Sequence, residues 1–406
     1  MNKFSNIFAS LKYRDFRLYF SGLCVSQVGT WMQQVAMSWL IYEMTGSIVL
    51  LGTVVFLAQL PVLLFSPFLS ALIDRYNKKS ILIITQSVGM TEAFLLAILV
   101  FSGTIQIWQI LTLSFIVGCI NALDLPARQT FYSSLVPRSK LTNAIGLNSS
   151  IIQGSQLIGP AIAGFLIKII GEGGCFLVNG ISYLFILFAL RKIVYNPQKR
   201  MDIAENNIFD DLKKGFSYIK NNSSIGILLL LVAIFCFFAF PVRTFITAYI
   251  KDVLLGDSIL LGIMMASLGL GAFAAALYLA SRNSAKGLEK MLIYGIVLCS
   301  LVMIPFFFIS KIYLAIPIAV VMGFGLICVV ATSNTLLQML SDNKMKGRVM
   351  GYFSMGFIGG SALGNIALTW LSKHITIPYT VCISGVACIV SLLVFKKFIP
   401  KIEIEN

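Results

Sequence analysis

Charge is scarce in this sequence and histidine nearly absent: 12% of the 406 residues are Asp, Glu, Lys or Arg, and His374 is the one histidine. A single imidazole excludes a histidine-pair metal centre and a Ser-His-Asp triad. No G-x-x-x-x-G-K-S/T loop occurs, so this chain is not expected to hydrolyse ATP. The eight cysteines (24, 119, 175, 236, 299, 328, 382 and 388) fall in or beside apolar stretches and form no C-x-x-C pair. They read as small hydrophobes, not as ligands or disulfides. Neither metal nor cofactor is expected, and the chain does not read as an enzyme.

What the sequence has in excess is apolar surface: 58% hydrophobic residues and a mean hydropathy of +0.90. No water-soluble fold hides that much, so lipid must be part of the solvent. Runs of about 18 or more apolar residues are candidate membrane helices. Twelve occur, at 18–42, 47–73, 80–102, 106–124, 142–170, 175–194, 225–250, 258–281, 288–309, 312–339, 348–372 and 378–397. None alternates like a barrel strand. The first is too long for a signal-peptide core and no small-residue cleavage site follows it, so it stays as a helix. The expected fold is an all-α membrane protein with twelve transmembrane helices.

The net charge of +15 is explained by its placement. With both termini set in the cytoplasm, 26 of the 31 Lys and Arg residues fall in cytoplasmic segments, leaving Lys168, Arg243, Lys251, Lys311 and Lys373. That asymmetry is the positive-inside rule; it is not a nucleic-acid footprint, and the bilayer is the expected partner. The polar stretch 195–224 divides the spans six and six, predicting an N-terminal bundle over 1–194 and a C-terminal bundle over 225–406. Within it Ile208, Phe209, Leu212, Phe216 and Ile219 share one helical face, which suits a short amphipathic helix on the inner leaflet. The halves echo each other: "DRYNKK" after the second span matches "SRNSAK" after the eighth, and "RSKLTNAIG" before the fifth matches "DNKMKGRVMG" before the eleventh. Two pseudo-symmetric six-helix bundles are therefore expected, with a substrate path between them near the bilayer midplane.

The loop "SALIDRYNKKS" (70–80) resembles the G-x-x-x-D-R-x-G-R-K/R signature of the major facilitator superfamily. Asp74, Arg75, Lys78 and Lys79 match it, with Ser70 and Asn77 in place of glycines. The stretch "GSQLIGPAIAG" (154–164) sits in the fifth span. With Gly146, Ser155, Gly159, Pro160, Ala163 and Gly164 it is similar to that superfamily's antiporter signature, two small residues replacing glycines. "KYRDFRLYF", "GTWMQQVAMSWLIYEMTGS", "DLPARQTF" and "TNAIGLNSS" resemble a bacterial branch that exports siderophores and macrolides. The resemblance implies a bacterial inner-membrane protein. It assigns gating to Asp74, Arg75 and Lys79, associates Asp124 and Arg128 with the gate, and has the Gly159–Pro160 segment seal one side of the path.

The residues carry their own readings. Small side chains around Gly159 admit a neighbouring backbone, and Pro160 bends its helix and frees a carbonyl; ordinary close packing is the alternative. Glu92 lies mid-span, where a charged carboxylate costs at least about 2.5–3.5 kcal/mol. It is either a proton-coupling group or one end of a structural interhelical hydrogen bond. Arg243, beside Pro241, pairs with an acid such as Glu92 or Glu43, meets an anionic substrate, or snorkels to headgroups. Gln27, Trp31, Gln34 and Ser38 share one face of the first span and line a wet cavity or another helix; Gln59, Asn148, Gln153, Asn334 and Gln338 extend that cavity. Pro126 is expected to break the helix between Asp124 and Arg128.

These readings predict a secondary active transporter: a monomeric exporter of a siderophore or amphiphilic drug in exchange for protons, by alternating access. An importer of a ferric siderophore or other solute on the same fold is the alternative, and a non-transporting receptor a more distant one.

Overall fold

A chain in lipid must satisfy its backbone hydrogen bonds internally, and a helix does so within one segment. The computed structural model describes residues 8–73, 76–195, 208–282, 287–342 and 345–396, without the side chains at 66–68, 70–73 and 208–212. The gating candidates Asp74 and Arg75 lie outside the described residues. Among these residues every regular element is helical: α1 (Arg14–Thr45), α2 (Ile48–Ile73), α3 (Lys78–Phe101) and α4 (Ile107–Ser134) come first. The long helix Leu141–Lys192 breaks at Gly171 into arms α5 (141–170) and α6 (172–192). Then follow α7 (Ile208–Asn221), α8 (Ser223–Ala239), α9 (Val242–Ala248), α10 (Ser258–Ala280), α11 (Leu288–Phe306), α12 (Ile312–Leu340), α13 (Lys346–Ile375) and α14 (Ile377–Phe395). The seventh span is thus two helices, α8 and α9, hinged at Phe240–Pro241 and ending in a π turn, Tyr249–Val253.

Local chemistry explains the breaks. Gly171 turns the chain at φ 70°, ψ 178°, a conformation essentially reserved for glycine. Asn77 caps α3, its side chain accepting from the amides of Lys79 (3.0 Å) and Ser80 (3.4 Å). Asp257 caps α10 through the Leu260 amide at 3.2 Å. Proline does less than expected at one place, where α4 runs unbroken through Pro126; α5 is likewise continuous through Pro160.

The described residues hold nine helical segments long and apolar enough to cross a membrane, α5 and α6 counting as one. The spans that miss this test are α1 and α13, and both carry polar side chains that bond inside the protein. The two halves pack alike. In the first, α1 lies on the α5–α6 helix, α2 on α4, and α3 on α4 and on the α5–α6 helix. In the second, α8 lies on α13 and α14, α10 on α12, and α11 on α12 and α14. The chain is an all-α membrane protein of twelve transmembrane helices in two pseudo-symmetric bundles. Helix α7 sits against the second: Gly215 is buried against Tyr352 and Arg348, and Tyr218 Oη accepts from the Asp342 amide (3.2 Å).

An ion pair fastens the first bundle. Arg128 bonds Asp124 one turn away, and Asp124 also accepts from Thr85 Oγ1 (2.8 Å) and Gln86 Nε2 (2.7 Å) of α3. Its side chain is 3% exposed. Because α4 stays helical through Pro126, the i,i+4 geometry survives and the pair lies within the bundle. Lys79 Nζ ties α3 to the end of α6 through the Ile193 carbonyl (2.8 Å).

Removing one charge of a buried pair leaves the other uncompensated, a loss of about 3–5 kcal/mol. Asp124→Asn should therefore lower the thermal unfolding midpoint in detergent markedly, and adding Arg128→Leu should recover most of the loss. A single variant as stable as the parent would show that the pair holds nothing.

Candidate functional site

Two helix pairs join the halves, α5 with α10 and α2 with α13, and pseudo-symmetry relates one seam to the other. Each seam is closed at the end away from α7 and parts toward the end that carries it. In the first, a Cβ on Gly164 would stand 2.6 Å from the Ser258 carbonyl oxygen, and one on Gly262 would stand 2.6 Å from that of Pro160. Midway, a Cβ on Gly269 would stand 2.6 Å from the Gln156 carbonyl oxygen. That is the carbonyl one turn before Pro160, which the proline leaves without its helical donor. Closer to the α7 end, a Cβ on Gly154 or Gly146 would meet nothing within 4 Å. In the second seam Gly52 abuts Asn365 and Thr369, Gly359 abuts Leu63, and a Cβ on Gly351 or Gly347 meets nothing.

The apolar core divides the same way. One cluster runs from the second bundle into the far end of the first, through Met32, Tyr42, Leu51, Ile167 and Phe176. A separate cluster around Phe16, Tyr19, Phe131 and Leu190 fills the α7 end of the first bundle. The halves therefore form a V, fused at one end and parted at the other.

Polar contacts fasten the fused end. Tyr42 Oη donates to Asp252, Lys168 Nζ meets Asp257 (2.8 Å), Ser258 Oγ donates to the Gly164 carbonyl (3.1 Å), and Lys251 Nζ stands 4.0 Å from Glu43. Lys168 holds the Asp257 carboxyl below its usual range. That contribution is lost only as pH falls through the lowered value, and with both side chains about half exposed it is small. Glu172, in the turn between α5 and α6, behaves oppositely: burial pushes its carboxyl up, Glu43 adds to the rise and Lys251 opposes it.

At the inner limit of the fused region the structure brings together five polar or aromatic side chains. Trp31 of α1 faces Gly159, where a Cβ would stand 2.6 Å from the Trp31 Cβ. The Arg243 guanidinium lies 6.0 Å from the Trp31 ring and 5.6 Å from the Phe240 ring. With its amide oriented to suit both neighbours, Gln156 accepts from Arg243 Nη1 (3.2 Å) and Nη2 (2.5 Å) and donates to Gln153 Oε1 (3.3 Å). The other stripe residues share α1 without bonding to this group: Gln27 and Ser38 are half-buried and Gln34 is exposed. Asn334 and Gln338 bond each other on α12 (2.5 Å). Gln59 Oε1 and Asn148 Oδ1 are buried without a partner.

Glu92 is elsewhere, sealed between α1, α3 and α6 at 3% exposure. It accepts from Gln33 Nε2 (3.2 and 2.9 Å), and Gln33 Oε1 accepts from Asn179 Nδ2 (2.6 Å). A Cβ on Gly29 would stand 2.5 Å from Asn179 Oδ1, so glycine makes room for the network. Neither acid considered for Arg243 reaches it: Glu92 is held by Gln33, and Glu43 faces Lys251. Sequence reasoning missed Gln33, Gln156 and Asn179, although each is an amide in a membrane span. It also missed Gly262 and Gly269. Gly159 packs on α1 within its own bundle, so a bulky residue there disturbs that bundle first.

Two outcomes follow. Gly262→Val and Gly269→Val should leave each bundle folded but force the seam apart, reducing transport at least about tenfold. Parent-like transport with an unchanged melting profile would reject the seam. Because ionising Glu172 is disfavoured in this closed arrangement, closure of the far end should weaken as pH rises through its range. Spin labels on Ile170→Cys and Leu255→Cys should report a growing long-distance population with pH, flat in Glu172→Gln. A flat parent profile would reject it.

The chain matches the transmembrane secretion effector family, of the major facilitator type, over residues 5–406. It is 25% identical to the Staphyloferrin A transporter of Staphylococcus aureus over 96% of this chain and 98% of that protein. It is 24% identical to Macrolide efflux protein A of Streptococcus pyogenes, over 66% of this chain and 67% of that one. Its fold is shared with the nucleoside transporter NupG at TM-score 0.73 and 14% identity, covering 94% and 98% of the two chains. A bacterial homologue of the iron transporter ferroportin aligns at TM-score 0.71 and 16% identity, covering 95% and 98%. A match across nearly the whole sequence, on two bundles that meet along a pair of parted seams, makes this chain a multi-pass membrane transporter of the transmembrane secretion effector family within the major facilitator superfamily.

Proposed function

We propose that the protein is a proton-coupled exporter of a siderophore or amphiphilic drug, working by alternating access as a monomer in the bacterial inner membrane. The observation that carries this reading is the V between the bundles, fused at one end and parted at the end bearing α7. With both termini in the cytoplasm, as the distribution of Lys and Arg favours, the open end faces the cytoplasm and takes up cargo there. The units 1–194 and 225–406 rock about the fused seams, tethered by 195–224. Opening the far end separates Lys168 from Asp257 and Tyr42 from Asp252, while Asp74, Arg75 and Lys79 close the cytoplasmic side. Efflux relatives such as Macrolide efflux protein A support export, and the Staphyloferrin A transporter supports a siderophore as cargo.

Glu92 is the proton-coupling group in this reading. Half-buried Gln33 stands over it, so a proton reaches the carboxyl past the Gln33 amide. In everted membrane vesicles an acidic lumen should drive accumulation of a fluorescent amphiphile, and nigericin should abolish it. Glu92→Gln keeps the hydrogen bond to Gln33 and removes titration. It should retain downhill exchange but lose accumulation and its pH dependence. Normal accumulation by the variant would remove Glu92 from coupling, and gradient-driven movement in the opposite direction would make the protein an importer.

A further inference from the structure

We infer that Arg243 is the anchoring site for a carboxylate on the transported molecule, so that the cargo is an aromatic or amphiphilic acid and not a neutral amphiphile. The inference rests on the transport reading for its meaning, and on the geometry around Arg243 for its content.

The other ionic groups described at depth or along the fused end have a partner. Asp124 holds Arg128, Glu92 is bonded by Gln33, Asp257 meets Lys168, and Glu43 faces Lys251. Of the cations in this set Arg243 alone lacks a counter-charge: its polar neighbour is the neutral Gln156 amide, and no carboxylate among the described residues lies within ion-pair distance. Its Nε is buried and has no acceptor. The side chain is also held away from headgroups, about two turns short of the end of its span, with Trp31 and Phe240 against it. A cation at such depth is expensive unless an anion meets it, and these residues supply none.

The guanidinium edge suits a planar carboxylate. A fork of Nε–H and one Nη–H gives the two parallel hydrogen bonds by which arginine takes such groups. The flanking rings favour an aromatic or apolar body attached to the acid. Arg243 and Gln156 lie on opposite sides of the seam, on α9 and α5. A carboxylate taking the guanidinium competes with the Gln156 oxygen and so loosens the contact that closes the seam, joining loading to rocking.

The test uses the purified full-length chain in detergent and calorimetric titration with 2-naphthoate and citrate, each against its methyl ester. At least one acid should bind at least about tenfold more tightly than its ester. Arg243→Gln should abolish that preference, Arg243→Lys should restore part of it, and Gln156→Ala should tighten acid binding several-fold. Thermal melts establish that each variant is folded; if Arg243→Gln is not, Arg243→Lys and Gln156→Ala decide. No acid binding by the parent, equal binding of acid and ester, or a preference kept in Arg243→Gln would overturn the assignment. Acid binding through Arg243 without transport in vesicles would remove the transport reading and leave the anion site standing. Transport with an Arg243-independent preference would do the reverse.

Discussion

Hydrocarbon offers no partner to a polar group, so each amide, carboxylate or guanidinium placed in a span must find one inside the protein or in an aqueous path. That constraint organises this molecule. Where partners are complete, as around Asp124 with Thr85, Gln86 and Arg128, the group cements helices of one bundle. At Arg243 they are incomplete, and that group meets Gln156 across the division between bundles.

Rigid bundles need a joint that is tight but divisible, and the seams are built for it. In the first, glycines lie against carbonyl oxygens, at Gly164 and Ser258, Gly262 and Pro160, Gly269 and Gln156. Such contacts gain close packing over a narrow strip and lose little side-chain freedom when they form. Pro160 contributes from within the continuous helix α5. It strips the Gln156 carbonyl of its helical donor and leaves that oxygen against Gly269. The hinge lies at Phe240–Pro241, and the sharp reversal is at Gly171.

Much of this was legible in the sequence, for physical reasons that differ by feature. Twelve apolar runs declare twelve spans because lipid tolerates little else, and the amphipathic pattern of 208–219 forms the helix α7. Sequence spacing sets which residues share a helix face, so Trp31 could be placed on an inward face. It does not set the partner: Gly159 meets α1, not the opposite bundle, and Gln33, one residue from the expected stripe, is the amide that holds Glu92. Pro126 misled because packing against α3 and the Asp124–Arg128 pair outweighs a local preference for breaking. Gly262 and Gly269 carried no polar or charged signal; only the neighbouring helix reveals why they lack side chains.

The two glutamates at the extremes of the first bundle show how one residue type takes opposite parts. Glu92 is enclosed by amides and has nowhere to move without breaking three helices apart. Glu172 sits in a turn at the fused end, beside Glu43 and within reach of the Lys251 charge. A proton on Glu172 relieves the cost of burying its charge at the fused end, whereas a proton on Glu92 changes a bond inside a single rigid body. The first bears directly on the equilibrium between closed and open far ends. The second acts on that equilibrium through the helices that hold it, among them α1, which presents Gln33 to Glu92 on one face and Trp31 to Arg243 on another. A linkage between proton and cargo along α1 would cross the single residue, Met32, that separates Gln33 from Trp31.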